Sequence, residues 1–203
     1  MIWIIVAVVL IATLVLCGVA SYDRFHSQRW LVRESWLQVD VELHRRYDLI
    51  PALVQRVRAH LHLPPRLVED LERHGAPHDR EGMTVTERAR RESALVAALR
   101  ELFDLAERCS ALRRDREFTD LQRQLVQIED RIAAGRRFYN ANVRAYNTRV
   151  ESFPTSLLAA RFGFTPAEPF EVADGDVRSA PVRDFDDEPV SVARQPIDHT
   201  FGR

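Results

Sequence analysis

The sequence contains no lysine, so all 29 basic residues are arginines, and 30 acidic residues balance them. The net charge of −1 gives no global indication that nucleic acid or an acidic ligand is the partner. Arginine-rich runs such as residues 87–92 alternate with acids, a pattern typical of a solvated helix face. The sequence therefore predicts no nucleic-acid partner.

Cysteine is scarce, with one residue in an apolar run and one in the polar body of the chain. Pairing Cys17 with Cys109 would require the body to fold back onto a membrane, so we expect two free thiols. This excludes a disulfide scaffold.

Motifs that carry chemistry are also missing. There is no glycine-rich phosphate loop after a strand, because no segment reads convincingly as a strand. No serine or cysteine lies in a nucleophile motif, and the helices lack the Glu-x-x-His pair of di-metal bundles. The sequence predicts no catalytic residue and no cofactor.

The histidines are poorly spaced for a metal site. His60 and His62 point to different sides of a helix, because positions i and i+2 do not share a face. His74 and His78 are separated by Gly75 and a proline, so they do not share one helix. We interpret all four as solvated and predict no bound metal.

What the sequence does contain is an apolar run, residues 1–20, without a charged side chain. A helix of that length spans about 30 Å, the thickness of the hydrocarbon core of a bilayer. Trp3 and Tyr22 lie near its two ends, where amphipathic aromatic side chains favour the membrane interface. The run predicts a single-pass transmembrane anchor whose partner is the lipid bilayer of the cell membrane.

Two alternatives to an uncleaved anchor remain open. A cleaved signal peptide requires a basic segment before the apolar run, which is missing, and Ala20-x-Tyr22 is a poor cleavage site. Residues 14–17 weakly resemble a lipoprotein box, but Leu16 is large where a small residue is expected.

Charges on the two sides of the run predict its orientation. No basic residue precedes it, whereas Arg24, Arg29 and Arg33 follow closely, which favours a cytoplasmic body and a short N-terminus outside.

The body, residues 21–170, reads as helix. No glycine or proline lies between Gly18 and Pro51, and apolar residues recur there at spacings of three and four. Because the stripe keeps its register through Pro51, we expect a kink, with Asp48 capping the freed amides, and a membrane helix that continues into the body as a stalk.

The remaining patterns predict further helices. A short helix follows the proline pair at 64–65, and Thr84 and Glu87 form a capping-box signature. A long apolar stripe runs from Phe118 to Phe153, and a short apolar segment after it can cover the end of the bundle. The fold class is therefore all-α: an N-terminal transmembrane helix followed by an antiparallel helical bundle with long helices, its heptad stripes typical of coiled-coil packing.

Residues 171–203 differ in composition. Acidic residues, proline, serine and arginine dominate, and helical periodicity ends. These features predict a disordered acidic tail that is dispensable for folding. A docking segment is the alternative.

The pair Tyr-Asn occurs twice, at 139–140 and 146–147. Asn140 and Asn147 lie one heptad apart beside the apolar stripe, although asparagine is a poor helix former. We hypothesise a structural polar ladder that sets the register between the first and last long helices, in which the partners are Asp40, Arg46 and Asp48. The alternative is that both asparagines face water.

Two stretches contain motifs more specific than those of a generic helix. The first runs from Arg33 to His60 and contains a tryptophan helix that leads to RRYDLIP at 45–51. The second runs from Glu117 to Pro154 and contains Glu-Phe, Glu-x-Arg-Ile, Arg-x-x-Tyr-Asn, Tyr-Asn and Phe-Pro, followed by ARFGF.

Together these two stretches resemble the LemA family. The resemblance implies a membrane-anchored antiparallel helical bundle and implies no reaction. Our first hypothesis is a non-catalytic scaffold or adaptor that binds an unidentified protein partner or further copies of itself. The second is an enzyme, or a subunit of one, with a site inside the bundle.

Overall fold

The structure is a computed structural model that describes residues 1–76 and 83–172. These residues form helices and no strands, which confirms the all-α prediction. In chain order the helices are α1 (Ile2–Arg58), α2 (Pro65–Gly75), α3 (Val85–Glu107), α4 (Ser110–Arg113), α5 (Arg116–Glu151) and α6 (Thr155–Phe162).

Helix α1 is 57 residues long and continues through Pro51, as the uninterrupted stripe predicts. The side chains described in its apolar segment are almost all exposed, whereas Phe25 is fully buried, so the body begins just after the apolar segment. Within the described parts of the chain, α1 is the one helix long and apolar enough to cross a membrane, by length and composition. The predicted stalk is therefore continuous with the helix that forms the core.

Helices α1 and α5 pack against each other in antiparallel orientation. A Cβ atom on Gly135 would lie 3.1 Å from Val39 Cγ2, so the glycine permits close approach of the two helices. Earlier in α1, the ring of Trp36 lies 5.2 Å from that of Tyr139, which comes later in α5. This opposed order runs the length of the body.

Helix α2 folds back against the end of α1. At its C-terminus a Cβ atom on Gly75 would lie 2.6 Å from Ile50 Cδ1, so a larger residue would displace this side chain. Helix α3 begins with the predicted capping box between Thr84 and Glu87, which is confirmed, and then runs parallel to α1. Leucines of α1, α2 and α3 fill the shared core.

After α6 the chain reverses direction at Gly163, whose φ of 72° lies in the left-handed region. Residues 164–172, the return segment, then run without helix alongside α5. Phe164 stacks on Phe25 at 5.0 Å, and Phe170 is fully buried. The return segment therefore closes the core at the end of the predicted body.

Most of the predicted acidic tail lies outside the described residues, and so does His78. The structure describes only Glu171 and Val172 of the tail, and Val172 packs against the core.

Candidate functional site

The side chain of Arg46 is buried where α1, α3 and α5 meet, with 2% of its surface exposed. Its Nη1 atom donates a hydrogen bond to Glu129 Oε1 of α5 at 2.9 Å, and its Nη2 atom contacts Glu92 of α3. The hydroxyl of Tyr47 donates to the other oxygen of Glu92. We call Arg46, Tyr47, Glu92 and Glu129 the buried polar centre.

The buried polar centre is held by ion pairs and a hydrogen bond. A guanidinium or a carboxylate is costly to bury unless it is paired and hydrogen-bonded. Here one guanidinium pairs with carboxylates from two other helices, and the hydroxyl of Tyr47 gives Glu92 a further hydrogen bond. The adjoining cavity, which Val96 and Phe170 also line, is about 20 Å³, room for about one water molecule. The centre therefore holds three helices at one level.

A second polar contact links α1 to α3 nearer the apolar segment of α1. Asp40 is buried and accepts an ion-pair contact from Arg88 Nη2 at 2.7 Å. The guanidinium of Arg88 also lies over the ring of Trp36, 5.6 Å from its centroid. The polar flank of α1 therefore faces α3.

A third contact joins the end of α1 to the beginning of α5. Arg56 donates two hydrogen bonds to Asp115, at 2.6 and 2.8 Å. Asp115 also caps α5 by accepting from the backbone N–H groups of Glu117 and Phe118. The hydrogen bonds from Arg56, and to a smaller extent those from the backbone, hold the pKa of the Asp115 carboxyl below its usual value.

The repeated asparagines hold the return segment. The side-chain nitrogen of Asn147 donates to the Ala167 carbonyl at 2.8 Å, and its oxygen accepts from the Ala167 N–H at 2.8 Å. Asn140 makes the same two bonds to Phe170, at 3.1 and 2.8 Å. Each asparagine thus supplies the donor and acceptor that an adjacent strand would supply.

The two tyrosines bind the same segment through their hydroxyls. Tyr146 donates to the Thr165 carbonyl at 3.0 Å, and Tyr139 donates to the Glu168 carbonyl at 2.7 Å. Burial, followed by the charge of Glu168, raises the pKa of Tyr139 to about 12, and burial also raises the pKa of Tyr146. Both hydroxyls therefore remain donors at neutral pH.

The heptad spacing of the pairs matches the spacing of the backbone they hold. Seven helical residues rise about 10.5 Å. Three extended residues advance about 10 Å, which is the separation of Thr165 from Glu168 and of Ala167 from Phe170. The repeat at 139–140 and 146–147 therefore has the spacing that lets one helix bind an extended segment at two successive points.

The predicted partners of Asn140 and Asn147 are wrong. Both asparagines are satisfied at the edge of the core, but by the backbone of the return segment rather than by α1. The three proposed partners lie elsewhere: Asp40 contacts α3, Arg46 belongs to the buried polar centre, and Asp48 is exposed. The reason is that the polar flank of α1 faces α3, while the asparagine flank of α5 faces the returning chain.

The interpretation of residues 87–92 as a solvated face is also wrong at two positions. Glu92 is buried and Arg88 is largely covered, because both pair with α1. A signal was present: Glu92 lies at helical spacing from Leu95 and Leu99 on the apolar face. Neither Glu129 nor Asp115 was singled out from the sequence.

Histidine, cysteine and carboxylate side chains do not gather in threes around a possible metal position anywhere in residues 1–76 and 83–172. His60 instead lies 3.5 Å from Asp115, beside the contact with Arg56.

Arg46, Tyr47 and Glu129 of the buried polar centre and the tyrosine–asparagine pairs come from the RRYDLIP, Glu-x-Arg-Ile and Tyr-Asn stretches, and Glu92 comes from α3. A model of the LemA family matches residues 35–185, three quarters of the chain, and spans all of these residues. The chain belongs to the LemA family. No curated protein matches the sequence. LemA is not a known enzyme family.

Proposed function

We propose that this LemA protein is a single-pass membrane protein whose bundle is a non-catalytic scaffold or adaptor for a protein partner or for further copies of itself. Helix α1 supports the anchoring, because one unbroken helix contains both the apolar segment and buried core residues such as Leu43. The body is then held at the membrane surface.

The orientation we propose places the body in the cytoplasm and the short N-terminus outside. Arg24 and Arg29 are exposed on α1 directly after the apolar segment, and Arg33 follows. The anchor has no basic side chain before it, so the charge asymmetry favours this orientation at the cell membrane.

The exposed face of α1 is the observation that carries a partner-binding role. Trp30, Leu37 and Val41 are 59%, 43% and 48% exposed. Their spacings of seven and four place them on one face of the helix, opposite the face that packs on α5. A row of large apolar side chains on an exposed helix face is the kind of surface that a partner helix or groove buries. We call these residues the α1 outer stripe.

The enzyme alternative would place its site at the buried polar centre. That location is unfavourable, because Glu92 and Glu129 are already bonded to Arg46 or Tyr47 and the adjoining cavity holds about one water molecule. A substrate would have to open the contact between α1 and α5.

Photocrosslinking in native membranes tests the proposal. A photoreactive amino acid at Leu37 should form an adduct of defined mass, whereas the same residue at Arg137 should not. Arg137 is a depth-matched control, because Gly135, two residues before it, lies against Val39, two residues after Leu37. The side chain of Arg137 is exposed, and it lies about 160° round α5 from Gly135. Two differently tagged copies of the protein distinguish self-association from a different partner.

A second variant makes the result specific to the stripe. With the photoreactive residue at Trp30, Val41→Asp should abolish the adduct, because it places a charge in the contact without touching the core. Adducts of equal yield at positions 37 and 137, or an adduct that survives Val41→Asp, would contradict the proposal.

A further inference from the structure

A second group of apolar side chains is exposed where the body meets the apolar segment of α1. Phe153, Leu157 and Phe162 are 82%, 66% and 52% exposed. Phe153 lies in the turn before α6, and the other two lie in α6. We call these three residues the α6 cluster. Ala159 packs into the core, and Leu157 lies about 160° round the helix from it, whereas Phe162 lies only about 60° away and contacts the ring of Tyr22. Helix α6 is therefore attached to the bundle through Ala159, while Leu157 and much of Phe162 stay exposed, as does Phe153 before the helix.

Ring contacts place the α6 cluster at the level where the uncharged segment ends. The ring of Phe162 lies 5.1 Å from that of Tyr22, two residues past the apolar run. A helix rises 1.5 Å per residue, so Tyr22 lies about 3 Å beyond the end of the run. The headgroup layer of a bilayer extends about 5–7 Å on each side of the hydrocarbon core. Phe162 therefore lies within that layer if α1 crosses the bilayer.

The antiparallel packing of α5 on α1 leads to the same level for Phe153. Gly135 lies against Val39, and the two helices advance at equal rise in opposite directions. The end of α5 at Glu151 is therefore level with the part of α1 around Asp23, and Phe153 follows two residues later. Two independent contacts thus bring both ends of the α6 cluster to the membrane surface.

We propose that α6 is a second membrane contact, in which Phe153, Leu157 and Phe162 insert into the headgroup–acyl boundary of the leaflet from which α1 emerges. Aromatic side chains favour this boundary, and an interfacial helix buries its apolar face about 5–10 Å deep in it. The charges at this level are mixed, with Arg24 and Arg161 beside Asp23, so apolar insertion carries the contact.

This contact would fix the orientation of the bundle about the axis of α1. One helix alone leaves the body free to tilt and rotate relative to the bilayer. A second point of insertion to one side of α1 removes that freedom and sets the direction in which the α1 outer stripe faces. The inference rests on the proposal that α1 crosses the bilayer.

Depth-dependent fluorescence quenching tests the inference on the full-length protein in phosphatidylcholine vesicles. Single cysteines replace Leu157, Val15 or Gln127 in a Cys17→Ala, Cys109→Ser background and carry an environment-sensitive dye. Val15 lies in the apolar segment, and Gln127 is exposed on α5 far from it. Lipids brominated near the headgroup should quench the Leu157 dye most strongly, and lipids brominated deep in the chain should quench the Val15 dye. The Gln127 dye should respond only to a soluble quencher.

Each other outcome contradicts a particular statement. Quenching of the Leu157 dye only by the soluble quencher, with the Val15 dye in lipid, would overturn the second contact and leave the anchor intact. Shielding of the Leu157 dye from both quenchers would mean that protein covers α6, which also overturns it. A Val15 dye in water would overturn the transmembrane anchor itself. A Phe153→Asp, Phe162→Asp variant should move the Leu157 dye into water, and retention in lipid would contradict the role of these side chains.

Discussion

Asn147 binds Ala167 through both hydrogen-bonding groups of its side chain, donating to the carbonyl and accepting from the N–H, each at 2.8 Å. The amide of one side chain thereby replaces the neighbouring strand that an extended segment would otherwise need. Asn140 repeats the contact with Phe170, whose ring is fully buried in the core. The return segment is thus attached to α5 by side chains alone.

Replacing Asn147 with alanine should lower the free energy of unfolding by about 1–3 kcal/mol, because both backbone groups of Ala167 lose their partner. Asn142→Ala on the same helix is the matched control, since the helix-propensity change is identical and its amide nitrogen has no hydrogen-bond partner among the described residues. Urea unfolding of the full-length protein in detergent, followed by circular dichroism, measures both. Equal effects of the two substitutions would mean that the contact with Ala167 contributes nothing.

Truncations on either side of the return segment should differ in effect. Ending the chain after Val172 should change the melting temperature by less than about 4 °C, because the removed residues are too polar to form a core of their own. Ending it after Phe164 should lower the melting temperature by more, since the burial of Phe170 contributes about 1.5–3 kcal/mol. A large loss on removal of residues 173–203 would contradict the prediction of a dispensable tail.

Arg46→Met should cost about 3–5 kcal/mol of stability, because it leaves the buried Glu92 and the partly buried Glu129 without a cation. Arg45→Met is the control: that side chain is about half exposed and pairs with Glu42, so its loss should cost less than about 1 kcal/mol. Adding Glu92→Gln and Glu129→Gln to Arg46→Met should recover part of the loss, as measured by denaturant unfolding. Equal costs at positions 45 and 46 would contradict the buried polar centre as a joint between helices.

Stability should fall at alkaline pH through Tyr139. Its pKa is about 12 in the folded protein, whereas a tyrosine in an unfolded chain has a pKa of about 10. The contribution of neutral Tyr139 to the free energy of unfolding is complete below about pH 10. It is lost between about pH 10 and 12, where the unfolded chain releases the tyrosine proton more readily than the folded protein does.

Urea unfolding as a function of pH measures this loss. Tyr139→Phe should flatten the decline of the unfolding free energy above about pH 10. Tyr22→Phe, at a half-exposed position, should leave the slope unchanged. A slope that is the same in both variants and in the original protein would refute the assignment to Tyr139.

The proposed orientation predicts the labelling of single cysteines in intact cells. Gln127→Cys, in a Cys17→Ala, Cys109→Ser background, should react with a membrane-impermeant thiol reagent only after lysis, because this orientation would place the body in the cytoplasm. Ile2→Cys, at the beginning of α1, should react before lysis. The reverse pattern would invert the topology.

The helices themselves could be predicted from short-range patterns. The continuation of α1 through Pro51 follows from an apolar stripe that keeps its register, and the beginning of α3 follows from the capping box at Thr84 and Glu87. The interior polar contacts could not be predicted in the same way. Glu92 belongs to a charge-rich run, and its burial depends on Arg46 of another helix lying opposite it.

The sequence by itself determined the all-α fold, the long uncharged segment at the start of α1, and membership of the LemA family, because these depend on periodicity, composition and local motifs. It also marked Asn140 and Asn147 as polar residues beside an apolar stripe. Only the tertiary structure decided what they bind. Their partners are backbone groups of Phe170 and Ala167, and every residue type except proline presents the same N–H and carbonyl, so no sequence pattern can distinguish one extended segment from another. These contacts depend on the reversal of the chain at Gly163, which brings the return segment alongside α5.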